Sequence, residues 1–256
     1  MGCCLALENL GKSWGGLWAL KSVTFEAEEG SRVAIIGPNG AGKTTLIHLI
    51  SGEFRSSSGR ILLRGKDITN VPGRRRAHLG IGRSFQITSL FPSLSVLDNM
   101  ILGLQALKPT KFSMFRPLTS HGYLFTEAQR LLEEWNLWDK RDNCVKNLPY
   151  GEQRQLEILL ALAGKPTLLL LDEPCAGLSV SETQAFISLV QNLSRDMTLL
   201  FIEHDMDTAF RLADQIIVLH QGQVIANGSP EEVRRDPAAN EVYLGAAAQE
   251  DEHAAG

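Results

Sequence analysis

The run Gly37-Pro38-Asn39-Gly40-Ala41-Gly42-Lys43-Thr44, followed by Thr45, has the residue types and spacing of a phosphate-binding loop. Glycines let backbone N–H groups curl around an anion, and a helix opening at Lys43 adds the positive end of its dipole. Lys43 would reach the β- and γ-phosphates of a nucleotide, and the Thr44 hydroxyl would ligate Mg²⁺. A second segment, Leu168-Leu169-Leu170-Leu171-Asp172-Glu173, is an apolar strand that delivers two carboxylates at its carboxyl end. There Asp172 can hold Mg²⁺ through water, and Glu173 can polarise an attacking water as general base. Together the two segments describe hydrolysis of a nucleoside triphosphate. The guanine-reading pattern N-K-x-D does not occur in the chain, which argues against a GTPase switch.

These residues need a scaffold, and the patterning supplies one. Arg32 to Ile36 reads as a short buried strand feeding the glycine loop, and Lys43 to Ser51 as a helix closed by Gly52. Before them, Leu5, Leu7 and Leu10, then Val23, Phe25 and Ala27, alternate with polar neighbours like half-buried antiparallel strands. Residues 88–165 look helical, with Ala128, Leu131, Leu132 and Trp135 on one helix face. From Thr167 strands and helices alternate again: a strand at 168–171, a helix at 181–193, strands at 198–202 and 216–219, and a hairpin partner at 224–226. Ser229-Pro230-Glu231-Glu232 opens a last helix through a capping box, with proline at its first position. This order predicts an α/β fold with a mostly parallel sheet. Arg74-Arg75-Arg76 reads as a solvated loop, close enough to Gln86 to meet a membrane partner or lipid headgroups.

At this point the chain resembles the ATP-binding cassette (ABC) ATPases, through motifs in that family's order. Gln86, in Ser84-Phe85-Gln86, stands at the Mg²⁺- and water-contacting glutamine, and Trp14, ahead of Gly15-Gly16, at the aromatic that stacks on adenine. Leu148-Pro149-Tyr150-Gly151-Glu152 occupies the signature that contacts ATP held by the opposite subunit. Ala176-Gly177-Leu178-Ser179 occupies the loop after the catalytic glutamate, and His204 the switch histidine at the γ-phosphate. The resemblance implies Glu173, His204 and Gln86 as catalytic residues, Thr44, Gln86 and Asp172 around Mg²⁺, and ATP as the nucleotide. It implies a phosphate-loop core with an antiparallel β subdomain (1–86 and 167–232), an inserted helical subdomain (87–166), a C-terminal helix (233–245) and a disordered tail (246–256). Pro149 departs from the usual signature serine and has neither hydroxyl nor N–H to offer a phosphate.

Arg154-x-Leu156-Glu157-Ile158, Glu203-His204-Asp205-Met206, Asn227-Gly228-Ser229-Pro230-Glu231 and Gly80-Ile81-Gly82-Arg83 further resemble the ATPases of branched-chain and other hydrophobic amino-acid importers. Urea and short-chain amide importers carry similar subunits. The expected setting is a head-to-tail homodimer, or a heterodimer with a second ABC ATPase. It would dock on transmembrane permease subunits that receive cargo from an extracytoplasmic binding protein, peripheral to the inner face of the cell membrane. Soluble ABC ATPases that act on ribosomes or DNA, and a regulatory scaffold, are the competing readings.

The 256 residues are 44% hydrophobic and 21% charged with a net charge of −4, an ordinary globular composition with no field to attract nucleic acid. No apolar run approaches the ~18 residues of a membrane span, and no signal peptide is visible. Cys3, Cys4, Cys144 and Cys175 have no disulfide or zinc spacing, which fits a reduced cytosolic setting. Met1-Gly2-Cys3-Cys4 carries Ala6 where a myristoylation signal wants Ser or Thr. His48, His78, His121, His220 and His253 have no motif around them and read as structural.

Overall fold

A computed structural model describes residues 2–83, 90–106 and 122–242. Strands β1 (Cys3–Trp14) and β2 (Leu17–Glu28) form a long antiparallel hairpin, joined on the β1 side by β4 (Ser58–Leu63) and β5 (Lys66–Asp67). The second sheet has the order β10-β9-β3-β8-β7-β6: β3 (Arg32–Ile36), β6 (Ile81–Arg83), β7 (Leu168–Asp172), β8 (Thr198–Ile202), β9 (Gln215–His220) and β10 (Gln223–Gly228). All its pairings are parallel except β9 with β10.

This sheet is covered on both faces, so its central strands are continuous apolar runs whose alternate residues serve different cores. Val33, Ile35, Leu168 and Leu170 point into a core shared with the antiparallel sheet and helix α1 (Lys43–Ser51). Ala34, Ile36, Leu169 and Leu171 point into a core shared with helices α3 (Val96–Ala106), α4 (Gly122–Glu134), α5 (Tyr150–Leu162) and α6 (Val180–Gln191). Helix α4 buries Leu124, Ala128, Leu131 and Leu132, the 3.6-residue stripe expected from the sequence. Within the block expected to be helical, α3 begins at Val96. Its entry is held by Asn99, whose side chain bonds the Phe91 backbone at both N–H and C=O.

One short helix departs from the sequence reading. The triple arginine lies in α2 (Gly73–His78), not in a solvated loop. Arg76 is buried and donates to the carbonyls of Leu49 and Ile50 at the end of α1, and to those of Thr69 and Val71. Helix ends leave carbonyls without intrahelical donors, and a guanidinium carries enough N–H groups to satisfy several at once. Burial pulls its pKa down to about 10, still far above neutrality. Helix α7 is Met206–Leu212, with Asp205 as its cap. Helix α8 (Pro230–Arg235) carries the capping box of Ser229 and Glu232 and stops at Asp236, and residues 237–242 are helical again.

All four cysteines are free thiols. Among the described residues, no helix is long and apolar enough to cross a membrane.

Candidate active site at the carboxyl ends of β3, β7 and β8

Strand β8 pairs with β3 on one side and β7 on the other. The three loops that leave their carboxyl ends therefore open side by side, the usual place for a ligand in an open α/β sheet. Loop 37–42 leaves β3, Glu173 follows β7, and His204 follows β8. They border a cleft of about 210 Å³ lined by Asn39 to Thr45, Ala19, Glu173 and His204.

The loop needs its glycines at two places. Gly37 has φ +149° and a Cβ there would lie 2.1 Å from the Leu219 carbonyl oxygen; Gly42 has φ +103° and would strike the Ala19 carbonyl oxygen at 2.6 Å. Both positions demand a residue without a side chain. Lys43 Nζ donates to the carbonyls of Gly37 (2.6 Å) and Pro38 (3.0 Å), which keeps the ammonium at the mouth of the loop. Burial lowers its pKa, while the carboxylates of Glu173 and Asp172 raise it and sustain the charge.

Glu173 is a non-glycine residue at φ +47°, a conformation that persists only where the surroundings enforce it. Its N–H donates to the Ile202 carbonyl of β8, and its Oε1 lies 2.7 Å from His204 Nε2. Asp172, one residue earlier, is almost fully buried, and both its carboxylate oxygens lack a hydrogen-bond partner. Burial pushes its pKa up, opposed by Arg83, whose Nη2 is 3.8 Å from Oδ2. Two bare anionic oxygens beside the N-terminus of α1, where Thr44 sits, match the oxygen ligation of a divalent cation.

A second cluster lies away from this cleft. Pro149 caps α5, which opens the signature helix at Tyr150, and its carbonyl accepts the N–H groups of Glu152 and Gln153. Leu148 is buried, Tyr150 half exposed, and Glu152 is ion-paired with Lys140. The Tyr150 ring lies against Gly177, whose φ of +78° turns the segment Ala176–Ser179. Ser179 then caps α6 in a capping box with Glu182. The structure thus gathers residues 148–152 and 176–179 together, and the phosphate loop with Glu173 and His204 separately. Trp14 is half exposed, its ring meeting Phe54 edge-on at 5.1 Å with Lys12 Nζ 4.0 Å from its centre, and does not line the cleft. Gln86 lies outside the described residues.

Three residues that support the site were read in the sequence only as parts of importer motifs, without a role. Arg154, buried in α5, donates to the carbonyls of Asp172 (2.7 Å), Glu173 (3.3 Å) and Pro174 (3.3 Å), and pairs with Glu157 at 2.8 Å. The signal was available: an Arg and a Glu three apart, interleaved with Leu156, Ile158 and Leu159, cannot both face solvent on a helix that buries that face. Glu203, also buried, accepts the Cys175 N–H at 3.1 Å and so links the loop before His204 to the loop after Glu173. Arg83, read only as part of a resemblance, reaches Asp172, and nothing in its local pattern announced that.

The family model described as ABC transporter matches residues 20–176. The chain belongs to the ABC family. It is an ABC ATPase, a nucleotide-binding enzyme with an α/β cassette fold. A second family model, the branched-chain amino acid ATP-binding cassette transporter, matches residues 223–249 of this ABC ATPase. The high-affinity branched-chain amino acid transport ATP-binding protein LivG of Salmonella typhimurium is 38% identical over 252 residues, covering 95% of this chain and 98% of that protein. The ADP conformation of MJ1267, an ATP-binding cassette of an ABC transporter, superposes with a TM-score of 0.83 at 31% identity, covering 96% and 100% of the two chains. The dimeric post-hydrolysis structure of the cassette MJ0796 bound to ADP and Pi gives 0.74 at 25% identity, over 88% and 98%.

Proposed function

We propose that this ABC ATPase powers an importer of branched-chain or other hydrophobic amino acids, with the cleft at the ends of β3, β7 and β8 as its ATP site. The observation that carries the catalytic reading is the contact between Glu173 Oε1 and His204 Nε2 at the edge of the phosphate loop. Loop amides at 37–43 and the Lys43 ammonium bind the phosphates, and adenine, projecting beyond the cleft, stacks on the half-exposed Trp14. Glu173 takes the proton of the attacking water, and His204 orients that carboxylate and contacts the γ-phosphate. Thr44, Gln86 and Asp172 would hold Mg²⁺, which when bound neutralises charge on the β- and γ-phosphates. The Asp172 oxygens, which accept no hydrogen bond, support that assignment.

The signature, Leu148 to Glu152, serves the ATP of a partner cassette, and Ala176 to Ser179 runs beside it. Their separation from the chain's own phosphate loop supports a head-to-tail dimer, with either a second copy or a distinct ABC ATPase. A groove of about 560 Å³ between α2, β6 and the end of α5, walled by Ala77, Ile81, Leu160, Ala161 and Pro166, faces a permease segment. Arg83, three residues before Gln86 in sequence, is part of its wall. In this reading the protein works at the inner face of the cell membrane, beside a permease fed by an extracytoplasmic binding protein. The match at residues 223–249 and the relationship to LivG support the cargo class.

Purification of the tagged chain from detergent-solubilised membranes tests the reading. Expected is co-purification of permease subunits whose presence raises ATP hydrolysis, with uptake of Leu, Ile or Val by the reconstituted complex. Recovery without any membrane protein, or a complex that transports only urea or amides, overturns it.

A further inference from the structure

Arg83, the last residue of β6, stands between the permease-facing groove and the metal-side carboxylate. Its side chain is 7% exposed. On the groove side, Nη1 pairs with Glu53 and donates to Ser51 Oγ at 3.1 Å. Nη2 contacts His48 Nε2 at 3.4 Å on one flank and lies 3.8 Å from Asp172 Oδ2 on the other. A guanidinium only donates, so His48 Nε2 accepts, and His48 Nδ1 lies 2.5 Å from Glu53 Oε2. Glu53 is therefore the counter-charge on which Arg83 and His48 converge. It is also the exposed end of the cluster: its side chain is 35% accessible and forms part of the groove wall, whereas that of Asp172 is fully buried.

We propose that Arg83 is a positioning residue that sets the strength of the Mg²⁺ site, because its single positive charge is divided between Glu53 in the groove wall and Asp172 at the end of β7. When Glu53 is ionised and paired, much of that charge is answered at the groove. Neutralise Glu53, or engage it with another group, and more of the guanidinium charge bears on Asp172, where it opposes a second cation. A permease segment that seated a basic or amide side chain on Glu53 would thus loosen Mg²⁺ without touching the nucleotide. The inference rests on the groove and metal readings above, but its charge relay operates in the isolated chain.

The test is thermal unfolding of the full chain with saturating ADP while Mg²⁺ is titrated at constant ionic strength. Glu53→Gln should raise the Mg²⁺ concentration for half-maximal added stabilisation about three- to tenfold, and Arg83→Met should lower it by a similar factor, as expected for one unit charge several ångströms from the ion. The double variant should follow Arg83→Met. Stabilisation by ADP in EDTA should be the same in all of them, which reports folding and phosphate binding separately from the metal. A purely structural role for the cluster moves both single variants in the same direction, and that result, or no movement in Glu53→Gln, overturns the proposal even if Arg83→Met does not fold. A wild-type chain that gains nothing from Mg²⁺ removes the metal reading and the proposal together, while leaving the ADP site intact.

Discussion

His204 Nε2 lies 2.7 Å from Glu173 Oε1, and the two residues follow adjacent parallel strands, β8 and β7. The contact gives the Glu173 carboxylate a fixed direction over the phosphate loop, which a residue at a strand end would not otherwise have.

If the two act as a unit, their losses should not add. Glu173→Gln and His204→Ala are each expected to lower ATP turnover by about 10²-fold or more, with the double variant no slower than the worse single one. Single-turnover hydrolysis measures this, and ATP-induced thermal stabilisation checks that binding survives. Additive losses would mean that the two groups work independently.

Arg154 ties the signature helix to the catalytic strand through carbonyls of residues 172–174 and pairs with buried Glu157. Removing one partner leaves a buried charge unanswered, so Arg154→Met should cost about 3–5 kcal/mol of stability. Arg154→Met combined with Glu157→Met should recover much of that loss in denaturant melts. Turnover should stay depressed in the double variant, because the carbonyls that aim Asp172 and Glu173 have lost their donor.

Burial raises the Glu203 pKa above the ordinary carboxylate value. The folded state then holds the proton more tightly than the unfolded state, so this group contributes stability at low pH. That contribution is lost as pH rises from the unfolded value through the folded one. Asp172 and Glu157, also raised by burial, act in the same direction. Glu203→Gln should flatten part of the decline in melting temperature above about pH 4.5. A wild-type curve that is already flat there, or one the substitution leaves unchanged, would contradict this.

Pro149 caps α5 with φ −52° and ψ +149°, values that serine adopts freely, but it brings no side-chain acceptor for the first-turn N–H groups. Pro149→Ser should therefore add about 0.5–2 kcal/mol of stability as a helix cap. It should also raise ATP-dependent dimerisation and turnover by supplying a hydroxyl to the partner's phosphate. A more stable variant with unchanged turnover would confine residue 149 to capping.

Much of the site could be read locally, because its parts are local. Glycines at 37, 40 and 42 with Lys43 and Thr44 specify a loop and helix start whatever surrounds them, and the observed helix begins at Lys43. The strand at 168–172 and the capping box at Ser229 were legible for the same reason. Arg74-Arg75-Arg76 was not, since three charges in sequence suggest solvent until the carbonyls of α1 are placed over Arg76. Arg83 and Glu203 could be read only as parts of motifs, because their partners are distant in sequence; Arg154 carried a local signal in Glu157, but the backbone carbonyls of residues 172–174 that it holds left none.

The sequence alone determined the chemistry on offer: a phosphate loop, two carboxylates after an apolar strand, and a histidine after another. Residue type and short spacing suffice for that, since a turn, a cap or a buried strand is decided within a few residues. Only the tertiary structure decided that β8 lies between β3 and β7. Strand order depends on how crossovers bury both faces of the sheet, which no window of sequence encodes. That order brings Glu173 to His204 and opens one cleft, while the Asp172 carboxylate is left buried with Arg83 at 3.8 Å.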